Sequence, residues 1–244
     1  ITWQDLEIDD IPSDSSSEMN AIVDLPRYCP NYLIRLITHV NCKASVPLWM
    51  SERLRRSGLR SHSLVVDITN YVMMELGQPM HAFDADKIQG CLCVRMAKEG
   101  ETLILLDGQK VELKSTTLVI ADESKVLAIA GVMGGQESAV SSETTNIIFE
   151  SAHFTPELLA GVARSYGLAT DSAYRFERGV SSDLQHKAIA RATELLLRFS
   201  GGDAKGVQQY TDENFLPKDK EINLFITNVN RLLGMTLTQI ERRE

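Results

Sequence analysis

The sequence predicts an α+β fold: a mixed layered β-sheet domain with flanking helices. Short apolar runs separated by turn residues crowd the middle of the chain, from Cys91 to Val132. Helical patterns stand before and after that block instead of alternating with it, which favours helices packed on a sheet over a βαβ architecture. No internal repeat, dinucleotide-type glycine fingerprint or Walker loop points to another class.

The elements follow in order. Residues 1–27 are acidic and Ser-rich, with Asp9, Asp10, Asp14 and Glu18 interleaved with serines. Few apolar side chains are there to offset the entropy of ordering, so they read as a linker tail with room for one short strand. Tyr32–Ile37 is β-like. Pro47 opens a helix that runs to Ser57, with Gly58 as the residue just past its end. Val65-Val66 reads as an apolar β-like pair. A short helix then covers Tyr71–Leu76 and stops at Gly77, before Pro79. Leu92–Met96, Leu103–Leu106, Thr117–Ala121 and Val126–Ala130 read as strands, with a hairpin turn at Asp107-Gly108. Another strand covers Ile147–Glu150. Pro156–Tyr166 reads as one helix with Thr155 as its N-cap. Leu184–Phe199 is the clearest helix: Leu184, Ala188, Ala192, Leu195 and Phe199 share a face, and Gly201-Gly202 ends it. Gly202–Lys220 reads as a linker, followed by a new unit with helices around Thr227–Leu233 and from Leu237 onward.

A chain of 244 residues with 43% hydrophobic content can bury a substantial core. It opens on Ile1 and ends in a charged run inside a helical pattern, which reads as a segment of a longer protein. The net charge of −8 argues against a general nucleic-acid binder but leaves room for a local patch. Arg53, Arg56 and Arg60 stand at helical spacing and offer such a patch; a solvated helix face is the preferred reading. No stretch approaches the ~20 apolar residues that a membrane helix needs, and no signal peptide opens the chain. Cys29, Cys42, Cys91 and Cys93 form no CxxC pair and have no His cluster beside them. They read as buried inert thiols in a reducing cytosol, with Cys91 and Cys93 sharing one face of a strand. No His/Asp/Glu set has metal-ligand spacing, so no metal is expected in this segment.

Three segments look like parts of one pocket. Asp67-Ile68-Thr69-Asn70-Tyr71 and Gly77-Gln78-Pro79-Met80-His81 bring a Thr, an Asn and a His around a helix and a Pro turn. Ile129–Gly135 is an apolar strand running into glycines, and Ile147–Ala152 places the carboxylate of Glu150 after an apolar run. Apolar walls, a glycine floor and a few polar groups are what a small-ligand site needs. Glu150 is the candidate hydrogen-bond acceptor, because a buried carboxylate without a partner is costly and a ligand hydroxyl would supply one. Its bland alternative is a strand-end Glu paired to an Arg or facing water. Gly134 lacks a Cβ and so lets a ring approach the backbone, although a plain turn would also explain it. Thr69 and Asn70 can orient a water or an amino group, and Thr69 could equally cap a helix. His81 could move a proton near neutral pH, or be a structural hydrogen-bonding residue.

These segments also carry a resemblance. With Pro47–Met50, Val94–Thr102 and Tyr174–Val180 in the same order, the chain resembles the editing region of the beta subunit of phenylalanyl-tRNA synthetases, over roughly residues 28–206. The resemblance implies an editing domain at 28–206, a linker at 207–220 and the truncated start of a small following domain at 221–244. It implies hydrolysis of tyrosine misattached to the tRNA for phenylalanine, because an apolar phenylalanine pocket rejects an added hydroxyl only by about 10². By resemblance, Glu150 recognises the tyrosine hydroxyl, Gly134 floors the aromatic slot, and Thr170 and Ser172 line it; Thr69, Asn70 and His81 are taken as the ester-end, catalytic set. The implied partners are that tRNA and an alpha subunit, in a cytoplasmic heterotetramer of two alpha and two beta chains. ATP and Mg2+ would serve aminoacylation outside this segment. The family usually has a His where this chain has Ala169, and another where it has Tyr174. Arg175, Glu177 and Arg178 read as a structural ion-pair network. Two rival readings use the same residues: a non-catalytic scaffold and tRNA-docking module, and a binder of free aromatic amino acids.

Overall fold

The computed structural model describes residues 19–218 and 221–234. Eleven strands and seven α-helices are present among them. Strands β1 (Ala21–Val23), β4 (Leu92–Met96), β7 (Leu118–Ala121), β8 (Val126–Ile129) and β9 (Met133–Gly134) form one sheet in the order β1-β4-β7-β8-β9. A second sheet has the order β11-β2-β10-β3, from β2 (Asn31–Thr38), β3 (Met80–Asp84), β10 (Ile147–His153) and β11 (Asp203–Thr211). Strands β5 (Thr102–Ile104) and β6 (Lys110–Glu112) make a separate hairpin.

Side chains alternate across each strand, and the three core clusters show the layers that result. Tyr32, Ile34, Ile148 and Ala152 of the four-stranded sheet share a core with Leu92, Val94, Ile120 and Ala128 of the five-stranded sheet. The opposite face of the four-stranded sheet, with Leu33, Ile37 and Phe149, packs on α1 (Leu48–Arg56), α2 (Leu64–Leu76) and α6 (Leu184–Ser200). The hairpin and the region of α3 (Pro156–Leu159), α4 (Val162–Ser165) and α5 (Asp171–Phe176) cover the other end. Strand β10 is buried along its whole length, as a strand flanked on both edges and both faces must be.

Several sequence expectations need correction. The β-like pair Val65-Val66 lies inside α2, which starts at Leu64 and carries Thr69 in its interior rather than at a cap. Val65, Ile68 and Val72 are buried in the core shared with β2 and α6, while Val66 is half-buried, so tertiary packing overrode local propensity. Strand β3 follows the Pro turn directly and is buried on the edge of β10; its five residues were too few to show an alternation. The helix expected over Pro156–Tyr166 is split by Gly161, whose φ of 78° no continuous helix allows. Thr155 sits at the N-cap position, but its hydroxyl donates to the carbonyl of Arg27 instead of capping. The Gly202–Lys220 linker is a strand as far as Thr211, because β11 completes the free edge of β2. The Asp107-Gly108 turn joins β5 to the unexpected β6.

At the C-terminal end, α7 spans Ile226–Leu233, and the helix expected from Leu237 onward lies outside the described residues. The thiols divide: Cys29 and Cys42 are buried, whereas Cys91 and Cys93 are only half-buried and Cys91 precedes the strand. Arg175 pairs with Asp171, and Glu177 pairs with Arg178, so those residues form two local pairs and no shared network. Arg53 lies over Trp49 and donates to the Tyr71 hydroxyl at 2.6 Å, and Arg56 faces Glu52.

Candidate functional site

The site forms where β3 and β10 run side by side under the end of the other sheet. Glu150 of β10 stands opposite His81 of β3 in the antiparallel register. Directly opposed residues project to the same face, so both side chains point into the space between the sheets. Strand β9 brings Gly134 over them from the five-stranded sheet. Val66, Thr69 and Asn70, spaced as i, i+3 and i+4 on α2, supply a third wall. Ser172 reaches in from α5.

Two connected spaces result. The deeper one, about 50 Å³, is lined by Glu150 together with Ile120, Ala128, Phe154 and Phe176. The outer one, about 210 Å³, is lined by Val66, Thr69, Asn70, Leu106 and Val140. His81, Gly134 and Ser172 border both. The structure therefore brings together Glu150, Gly134, His81, Thr69, Asn70 and Ser172.

Thr170 is not among them. Its hydroxyl donates to the carbonyl of Val132 and accepts from the amide of Ala173, capping α5. With Ala169 and Tyr174 it lines a separate surface depression beside Arg164 and Glu177. The cap fixes where α5 begins and hence where Ser172 stands.

The electrostatics of the inner space are set by burial. Glu150 is 5% exposed, and burial alone pushes its carboxyl up to about 8. No side-chain hydrogen bond or ion pair engages it among the described residues. The bland alternative, an Arg-paired or solvated Glu, is therefore not what the fold provides. Part of His81 reaches solvent, but its Nε2 is buried with no partner. Desolvation lowers the imidazole to about 4. Near pH 7 both groups are neutral, and each still lacks a hydrogen-bonding partner, a condition that costs about 1–3 kcal/mol per group. Thr69 donates its hydroxyl hydrogen to the carbonyl of Val66 at 2.8 Å, so toward a ligand it can only accept.

Gly134 ends the two-residue strand β9, just after a turn at residues 130–132, and has no positive φ of its own to explain the glycine. A Cβ there would lie 2.4 Å from Cε1 of His81. The residue is Gly because the imidazole already occupies the place of a side chain. Sequence reasoning missed Phe154 and Phe176, which stack edge to face at 5.2 Å on the inner wall. It also missed Tyr32, fully buried, whose hydroxyl has no partner and which feels the field of Glu150. These are ordinary core aromatics in the sequence, and only the tertiary fold places them near a carboxylate.

Among the described residues, no group of three or more His, Cys, Asp or Glu gathers as a metal would require, and no helix is long and apolar enough to cross a membrane.

Comparison with known proteins adds the family. A beta subunit of phenylalanine–tRNA ligase from Methylococcus capsulatus is 51% identical over 90% of this chain and 28% of its own length. The beta subunit from Pectobacterium atrosepticum is 52% identical over 87% of this chain and 27% of its own. The chain thus spans little more than a quarter of these relatives. An N-terminal fragment of the phenylalanyl-tRNA synthetase beta-subunit from Pyrococcus horikoshii aligns over 96% of this chain and 65% of that one, at 12% identity with a TM-score of 0.49, too distant to bear on the site. The family model for the B3/4 domain matches residues 28–201. The chain therefore belongs to the B3/4 domain family, in a form similar to the corresponding part of phenylalanine–tRNA ligase beta subunits.

Proposed function

We propose that this domain is an editing hydrolase that removes tyrosine wrongly attached to the tRNA for phenylalanine. The observation that carries the reading is Glu150: a buried carboxyl with no partner, facing a small space walled by Ile120, Ala128, Phe154 and Phe176 that adjoins a larger one lined by Thr69 and Asn70. A phenol hydroxyl arriving there finds a hydrogen-bonding group in a dry setting. A phenylalanine ring leaves the same group unpaired, and that difference favours the wrong amino acid. The recognition holds with Glu150 protonated, since a carboxylic acid both donates and accepts.

The ester end falls in the outer space. Thr69 accepts from the substrate α-ammonium, and the half-buried Asn70 and Ser172 offer both donors and acceptors to a water. That water attacks the ester carbonyl carbon, the bond to the terminal ribose oxygen breaks, and the water's proton goes to that oxygen. The products are tyrosine and intact tRNA. An aminoacyl ester is already activated, so holding a water in line supplies much of the acceleration without a protein nucleophile. His81, neutral at pH 7, can accept a proton but gains little as a strong base.

In the same reading the domain works within a cytoplasmic heterotetramer of two alpha and two beta subunits. There ATP and Mg2+ serve aminoacylation elsewhere, and the tRNA delivers its charged end here. The test is single-turnover deacylation of tyrosyl- and phenylalanyl-tRNA by the two-subunit enzyme carrying this segment. Wild type should strip tyrosine much faster than phenylalanine, and Glu150→Ala should cut that preference roughly 10- to 100-fold. If wild type releases both at the buffer rate, the domain is a scaffold and the reading fails.

A further inference from the structure

The space at Glu150 is too small for an aromatic ring, and His81 forms part of its wall. The space in front of the carboxyl is about 50 Å³, whereas a cavity of about 150 Å³ is what holds a single benzene ring. The outer space, about 210 Å³, is large enough but is lined by Thr69 and Asn70, not by Glu150. His81 borders both spaces. Its ring lies so close to Gly134 that a Cβ on that glycine would be 2.4 Å from Cε1 and 2.7 Å from Nε2. Phe83 stacks on it edge to face, with centroids 4.5 Å apart. The imidazole therefore lies against Gly134 where the two spaces meet, with its buried Nε2 unpartnered.

We propose that His81 is a movable plug: its imidazole fills the slot against Gly134, and it must rotate into the outer space before a para-hydroxyphenyl ring can reach Glu150. The proposal rests on the reading of Glu150 as the hydroxyl acceptor. A histidine moves between staggered side-chain rotamers without any change in the backbone. The outer space offers it hydrogen-bonding partners, Thr69, Asn70 and Ser172, that its present position lacks. Ring entry and arrival of the imidazole beside the ester are then one event. Displacing the plug costs tyrosine and phenylalanine alike, so it leaves their ratio unchanged and lowers occupancy by both. Only tyrosine recovers the loss at Glu150. The plug in this way protects the correct ester from slow hydrolysis.

The experiment uses p-cresol, the isolated para-hydroxyphenyl group, with toluene as control. This chain and its His81→Ala variant are titrated by NMR, and the His81 Cε1–H signal, one of five histidines, is followed in wild type. The expected result is at least tenfold tighter p-cresol binding by His81→Ala, and a large displacement of the His81 signal when wild type is saturated. Equal affinity in the two proteins with an unmoved His81 signal overturns the plug and leaves the hydroxyl reading standing. Binding by neither overturns the hydroxyl reading and the plug with it. Should His81→Ala fail to fold, His81→Asn opens most of the same volume, and the wild-type signal alone still decides.

Discussion

Two buried polar groups lie within a few residues of each other on the same strands and are treated in opposite ways. On one side, Asn31, Gln78 and Gln185 are almost fully buried and form a closed chain of amides. Asn31 donates to Gln185, Gln185 donates to Gln78, and Gln78 donates to the carbonyls of Pro79 and Ala152. On the other side, two residues before Ala152 and three after Gln78, stand Glu150, a buried residue, and His81, with its Nε2 buried, neither with a side-chain partner. The fold can plainly satisfy buried polar atoms at this depth. Tyr32, Ser151 and His153 also keep a buried polar atom unpartnered, but of the open groups only Glu150 and His81 border the space between the sheets, which marks that pair as groups kept for something outside the chain.

The largest expected effect follows from ionising the open pair. The unfolded chain releases the Glu150 proton near the ordinary 4.5, and the folded chain holds it to about 8. Between those values the folded state binds more protons, so its stability falls as pH rises through the window, by up to about 5 kcal/mol at the far end. Urea unfolding at several pH values should show wild type losing ground to Glu150→Gln between pH 5 and 8.5, with the difference flat above that. A constant difference would mean the carboxyl is solvated after all, and the contrast between the two groups would collapse.

Breaking the closed set comes next. Gln185→Leu preserves volume but strips partners from Asn31 and Gln78, and should cost about 3 kcal/mol at any pH, read by the same unfolding curves. The smallest effect separates adjacent glycines. In Gly134→Ala the new methyl meets a histidine ring that can turn away, and the cost should be about 1–2 kcal/mol. In Gly135→Ala it meets the Leu127 backbone carbonyl at 2.7 Å, which cannot, so melting temperature should drop further. Equal losses would show that His81 is held rigidly where it lies.

Much of the fold was legible. The amphipathic face of α6, the Pro47 start of α1, the Asp107-Gly108 turn and the apolar core strands follow from periodicity and turn chemistry. The start of α2 was not legible, because Val65 and Val66 prefer strands when considered alone. Nor was β11, a half-buried strand that exists because β2 has an open edge to fill. For the candidate site, Glu150, Gly134, His81, Thr69 and Asn70 stood out as residue types next to apolar runs, and Ser172 through resemblance. Thr170 drew the same attention through resemblance, and in the fold its hydroxyl caps α5.

By itself the sequence determined which segments are apolar, where turns must fall and which polar residues interrupt the core, because these depend on each residue and its near neighbours. Only the tertiary structure decided that Glu150 faces His81, that the ring of His81 rests on Gly134, and that Gln78 is satisfied where His81 is not. The physical reason is that strand register and burial are collective. A shift of one residue in β3 would turn His81 to the opposite face of the sheet, and nothing local to Met80-His81-Ala82 encodes which register β10 will impose.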